Sequence, residues 1–146
     1  LDTSSQAQVA NLLVDLVHEF KMGMVFISHD LSIVRRISDR VAVMYLGKIV
    51  EIGTTSQIWE NPSHPYTRAL VSAIPHADGA SFMPSDLPGD VPNPMNPPSG
   101  CRFHPRCQLA LPKCTTEEPQ FVTLTDNREV SCFLQREGES PASITL

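Results

Sequence analysis

Two sets of side chains in this 146-residue chain are of types that do chemistry. The first is Ser28-His29-Asp30, three polar residues that abruptly end the apolar run Met24-Val25-Phe26-Ile27. A short run of this kind suits a buried strand, bounded here by Gly23 and Asp30. If that strand sits in an open parallel sheet, His29 lies at its carboxyl edge, where such sheets bind ligands. The second set is Cys101, Cys107, Cys114 and Cys132, separated by five, six and seventeen residues. Tight zinc knuckles use separations of about two to four. Four thiolates can also close an iron–sulfur cluster, where spacing varies more. Arg102, His104, Arg106 and Lys113 interleave with the thiols, and cations there would lower thiol pKa values and offset a four-thiolate charge. The residue types leave an iron–sulfur cluster, zinc and free thiols open.

The elements that must hold these groups follow from periodicity. Val9, Leu12, Leu13, Leu16, Val17 and Phe20 make one apolar stripe, predicting a helix over Thr3 to Phe20. Thr3 with Gln6 has capping-box spacing, and Gly23 is the expected closing residue. A strand over Met24–Ser28 is expected next, then a helix capped by Asp30 and carrying Ile33, Val34 and Ile37. Val41 to Tyr45 and Lys48 to Ile52 read as a hairpin around Leu46-Gly47. Thr54 and Gln57 repeat the capping-box spacing ahead of a short helix that Pro62 stops. Pro65 to Ile74 suits a further helix with proline in its first turn, its start fixed by His64 and Tyr66. His76 to Leu87 reads as a mobile loop, Asp90 to Pro98 as an extended approach, Cys101 to Cys132 as a cysteine module with little periodicity, and Glu137 to Leu146 as a frayed tail.

This order gives an α/β fold whose beginning is missing, since so few crossover units cannot cover a parallel sheet. The expected layout is 1–60 as the distal part of an α/β domain, 61–90 as helix and linker, 91–136 as the four-cysteine extension and 137–146 as a flexible tail. Composition narrows the function classes. Hydrophobic content of 41% permits a core, and most of the 13 prolines cluster from Pro62 to Pro98, where long helices and central strands are excluded. A net charge of −5 with no basic run argues against nucleic acid as a partner. No apolar stretch reaches the length of a membrane span. No signal-peptide pattern opens the sequence, so the cysteines are expected as cytosolic thiols or metal ligands rather than a secreted disulfide framework.

The stretch Leu1-Asp2, Ile27-Ser28-His29-Asp30 and Asp39 through Gly53 resembles the C-terminal part of an ABC-transporter ATPase subunit. Asn61-Pro62-Ser63-His64-Pro65-Tyr66-Thr67-Arg68-Ala69-Leu70 and Pro94-Met95-Asn96-Pro97-Pro98-Ser99-Gly100-Cys101-Arg102-Phe103-His104-Pro105-Arg106-Cys107 are similar to the C-terminal extension of its oligopeptide/dipeptide importer subfamily. The resemblance implies a C-terminal fragment of a P-loop ABC-ATPase domain followed by a small, irregular four-cysteine module. His29 matches the family's switch histidine, which meets the γ-phosphate of ATP. Asp2 matches the aspartate that crosses the dimer interface, though an acidic residue there also suits the positive end of the first helix.

The resemblance further implies ATP with Mg²⁺, a [4Fe–4S] cluster on Cys101, Cys107, Cys114 and Cys132 with zinc as the alternative, and a peripheral position on the cytoplasmic face of the cell membrane. The implied partners are a second ATPase subunit, identical or paired, integral permease subunits and, indirectly, a solute-binding protein. The implied cargo is peptide, with nickel or another small solute as the alternative. A different class of reading makes the cysteine module a metal-binding or redox-sensing interaction element. No Gly-x-x-x-x-Gly-Lys-[Ser/Thr] run is present, so the fragment alone is not expected to hydrolyse ATP.

Overall fold

A computed structural model describes residues 3–74 and 87–144. The chain divides into two compact units, Leu1–Asp39 and Arg40–Leu146.

In the first unit, helix α1 spans Thr3–Phe20 and α2 spans Leu31–Ile37, as the apolar stripes predict. The side chains of residues 1–4 lie outside the described set, and with them the Thr3 half of the expected cap. The other end of α1 closes differently from expectation. Lys21, not Gly23, takes the left-handed conformation, at φ 51°. Met22 N donates to Val17 O at 3.0 Å and Lys21 N to His18 O at 3.4 Å, the paired bonds of a Schellman stop. Helix α2 begins as predicted, with Asp30 Oδ1 accepting from Ser32 N at 2.9 Å and from Ile33 N at 3.2 Å.

The expected strand over Met24–Ser28 does not form. Those residues have no regular structure, and Val25 and Ile27 are 92% and 93% exposed. An extended run becomes a strand only when a neighbour takes its N–H and C=O groups, and no described strand pairs with it. The apolar run is there; the partner it calls for is not among the described residues.

The second unit carries the sheet. Strands β1 (Arg40–Tyr45) and β2 (Lys48–Thr54) form the predicted hairpin, joined by Leu46 and Gly47 at φ 45° and 76°. Two positive φ values in a two-residue loop match strand twist. Helix α3 (Thr55–Glu60) has the full capping box: Gln57 N donates to Thr54 Oγ1 at 3.3 Å, and Thr54 N to Gln57 Oε1 at 2.8 Å. Helix α4 (Pro65–Ser72) starts with proline, and His64 Nδ1 accepts from Tyr66 N at 3.0 Å. The expected loop over His76 to Leu87 lies outside the described residues apart from Leu87, which is buried. Beyond it come two short 3-10 turns, His104–Arg106 and Pro112–Thr115, and two brief strands, β3 (Val122–Thr123) and β4 (Glu129–Val130).

The sheet runs β1-β2-β4-β3, and every pairing is antiparallel. The fold is therefore mixed helix and sheet, as expected of an α/β chain, but with no parallel pair among its described strands. Strand β1 alternates exposed and buried residues, sending Val41, Val43 and Tyr45 inward. They pack in a core with Val50, Ile58, Phe103, Leu124 and Val130. Tyr45, Tyr66 and Phe103 form an aromatic triangle with ring centroids 4.6, 5.2 and 5.4 Å apart. Such ring pairs add about 0.5–1.5 kcal/mol beyond the area they bury.

Candidate functional site

Ser28-His29-Asp30 is shaped by short-range hydrogen bonds. Ser28 Oγ accepts from Asp30 N at 3.0 Å, and the Asp30 carboxylate is committed to capping α2. These bonds fix the backbone on both sides of His29 and leave its imidazole exposed. The ring is free to donate to an anion brought to it. Nothing else in the sequence has the pattern of a phosphate-cradling loop, so the residues present do not by themselves fit a nucleotide. Asp2, the other residue matched to the nucleotide site, lies outside the described residues.

The four cysteines do converge. Cys101, Cys107, Cys114 and Cys132 all line one small cavity of about 10 Å³, walled by Phe103, Phe133 and neighbouring apolar groups. That is room for about one water. Cys101 N donates to Cys114 O at 2.9 Å, tying the two segments together. The iron–sulfur expectation fails here. Among the described residues no group of three or more His, Cys, Asp or Glu side chains is arranged to hold a metal ion.

The surroundings give the physical reason. Burial pushes the Cys101 and Cys107 thiols up and drives Cys132 up to about 12, so removing a proton from any of these three costs more than it does in water. The cations expected to counter a cluster's charge each have another contact. The Arg102 guanidinium donates to the Leu46 carbonyl, Arg106 Nε donates to Pro88 O at 3.4 Å, and Lys113 Nζ sits 4.2 Å from the Phe133 ring centre. His104 Nδ1 lies 2.8 Å from Cys101 O, a backbone contact.

Sequence reasoning missed a fully buried charged group. Glu51, on β2, is fully buried and accepts from Ser63 N at 2.7 Å and His64 N at 3.0 Å. Arg128, just before β4 and also buried, reaches Glu51 at 3.5 Å, Ser63 Oγ at 2.8 Å and Asp126 at 2.7 Å, and donates to Asn61 O. Desolvation raises the Glu51 pKa despite the two N–H donors and the guanidinium. Gln135 Nε2 adds a bond to Ser63 O at 2.9 Å. The network clamps residues 61–64 at the entry to α4 and so presents His64, which is buried and pushed down to about 3 by loss of solvent. The available signal was a lone carboxylate inside the apolar run Ile49-Val50-Glu51-Ile52.

With this geometry in hand, the likeness to known proteins can be read. Residues 50–114 match the family described as oligopeptide/dipeptide transporter, C-terminal region. The matched span runs from β2 to Cys114, covering the clamp's Glu51 and the first three cysteines. Over 136 residues the chain is 50% identical to a probable peptide ABC transporter ATP-binding protein, y4tS, of Sinorhizobium fredii, covering 92% of this chain and 38% of that protein. It is 49% identical over 134 residues to the dipeptide transport ATP-binding protein DppF of Haemophilus influenzae, covering 91% of this chain and 41% of that one. It is 47% identical over 137 residues to the oligopeptide transport ATP-binding protein AppF of Bacillus subtilis, covering 92% and 42%. The chain thus spans about two fifths of the length of these curated relatives. Among the described residues no helix is long and apolar enough to cross a membrane.

Proposed function

We propose that this chain is part of an ATP-hydrolysing subunit that powers peptide import through a membrane permease. The carrying observation is the near-50% identity, over nine tenths of the chain, to ATP-binding proteins named for peptide, dipeptide and oligopeptide transport. The names of these relatives give no support to nickel or another small solute as cargo. In this reading residues 1–60 are the distal part of the nucleotide-binding domain, 61–90 the connecting helix and linker, 91–136 the subfamily extension and 137–146 a tail.

Mg²⁺ and ATP would be gripped by residues outside this sequence, and ATP supplies the phosphoryl group whose transfer drives transport. His29 contributes one positioned donor toward the γ-phosphate, and Asp2 a carboxylate at the interface with a second ATPase subunit. The assembly works on the cytoplasmic face of the membrane beneath its permease, taking solute from a binding protein. Phosphoryl transfer rests on positioning and charge stabilisation, so loss of one well-aimed donor typically costs about 10²–10³ in kcat. The test is the full-length protein with and without His29→Ala, assayed for Mg-ATP hydrolysis. A fall of that order with ATP binding retained is expected. An unchanged rate removes His29 from the mechanism, and a full-length protein that binds no Mg-ATP defeats the ATPase reading.

A further inference from the structure

The second unit holds a groove of about 480 Å³ that the transport reading does not use. Its volume lies within the range of small-ligand sites. Three features define what fits it. The inner wall is apolar, built on Val50 and Phe103, and two large apolar side chains at its edge, Met44 and Phe121, are 58% and 46% exposed. At one end Lys48 Nζ meets Glu118 Oε1 at 2.8 Å, both half exposed, with Arg102 lining the same groove. Two cations therefore face one carboxylate, and Glu118 is held below the usual carboxylate range, by Lys48 first and with a smaller pull from Arg102. The third feature is backbone. Strand β4 pairs with β2 only at Glu51 and Ile52, and Ser131 N adds one more bond to Val50 O at 2.9 Å. Past that point Lys48 and Ile49 have no strand partner on this side among the described residues, and both line the groove. An open strand edge is a template for an extended peptide.

We propose that this groove binds the C-terminal end of a short free peptide. The peptide backbone runs beside Lys48 and Ile49, its last apolar side chain rests against Val50 and Phe103 between Met44 and Phe121, and its carboxylate lies between Arg102 and Lys48. Glu118 is then an internal competitor, a carboxylate already seated on one of the two cations. A carboxylate adds a full-charge attraction to both cations that the neutral amide lacks, so the free acid is favoured over its amide. Peptide binding in this groove is separate from ATP hydrolysis.

The test is calorimetric titration of the nucleotide-free, full-length protein with the dipeptide Ala-Phe, its C-terminal amide, and octanoate. Ala-Phe is expected to bind, the amide about tenfold more weakly, and octanoate more weakly still because it has no backbone to add to β2. Glu118→Gln should tighten Ala-Phe binding severalfold, and Phe121→Ala, at an exposed position, should weaken it about fivefold. Arg102→Gln should abolish it, though Arg102 also holds the Leu46 carbonyl, which makes Glu118→Gln the cleaner variant. Equal binding of acid and amide, octanoate as tight as the dipeptide, indifference to Glu118→Gln, or binding confined to long polypeptides would each overturn the proposal. Any of these results leaves the ATPase reading standing.

Discussion

Gly100→Ala is a direct test of how the cysteine segment is built. Gly100 has φ +66°, and a Cβ there would lie 2.4 Å from Cys114 O and 2.9 Å from both Thr115 C and Thr116 N. Every one of those atoms is backbone, so no side-chain rotation can relieve the overlap. A non-glycine residue in the left-handed region costs about 1–2 kcal/mol. Forcing atoms into a filled space adds about 1–3 kcal/mol. The strand of chain that must move carries the Cys101 N to Cys114 O bond, so the second cost appears either as overlap or as that lost bond, not both. The expected total is about 2–5 kcal/mol.

Gly138→Ala separates the terms, because Gly138 has φ +70° with nothing within 4 Å of its would-be Cβ. It should cost only the conformational part, about 1–2 kcal/mol. Urea unfolding followed by Trp59 fluorescence reports the right unit, since this one tryptophan lies in α3. If the two alanine variants lose the same stability, the close approach of residues 100 and 114–116 is wrong.

Two further outcomes can be checked by the same unfolding assay. Arg128→Met leaves the Glu51 carboxylate buried without its counter-charge and should cost about 3–5 kcal/mol, whereas adding Glu51→Gln should recover part of that loss; a double variant no better than the single would dissolve the proposed coupling. His64 has its pKa lowered from 6.5 to about 3, so between those values the unfolded chain binds a proton that the folded one refuses. Stability is full above the unfolded value and falls with pH, by about 2 kcal/mol between about pH 7.5 and about pH 5. Glu51, with its pKa raised above 4.5, has the opposite sign, contributing below its unfolded value and losing that contribution as pH rises. Comparison with His64→Asn, which retains a capping side chain, cancels the Glu51 part, and a variant with an undiminished acid slope would contradict the assignment.

What was legible in the sequence was local. The Thr54–Gln57 capping box, the Asp30 cap, the hairpin at Leu46-Gly47 and proline at the start of α4 each involve residues within a few positions of one another, and each forms as read. The failures needed information from far along the chain. Met24–Ser28 has the composition of a strand, but a strand is a relation between two segments. Glu51 and Arg128 are 77 positions apart, so neither charge announces its partner. Lys21 in place of Gly23 is a subtler miss: glycine marks where a left-handed residue is easily tolerated, while the last turn of α1 decides where one is required. Of the site residues, the cysteines do gather, but their spacing carried no information about how well solvated the sulfurs would be.

The attachment of β4 to β2 has a consequence for biosynthesis. During translation the hairpin and both flanking helices leave the ribosome long before Arg128 and Val130 do, so the inner edge of the hairpin waits uncovered with a carboxylate facing no cation. A message cut short between α3 and that point yields a product whose hairpin is made and still cannot close. Such a product displays an unpaired strand and a stranded charge, the features by which proteases and chaperones tell unfinished chains from finished ones.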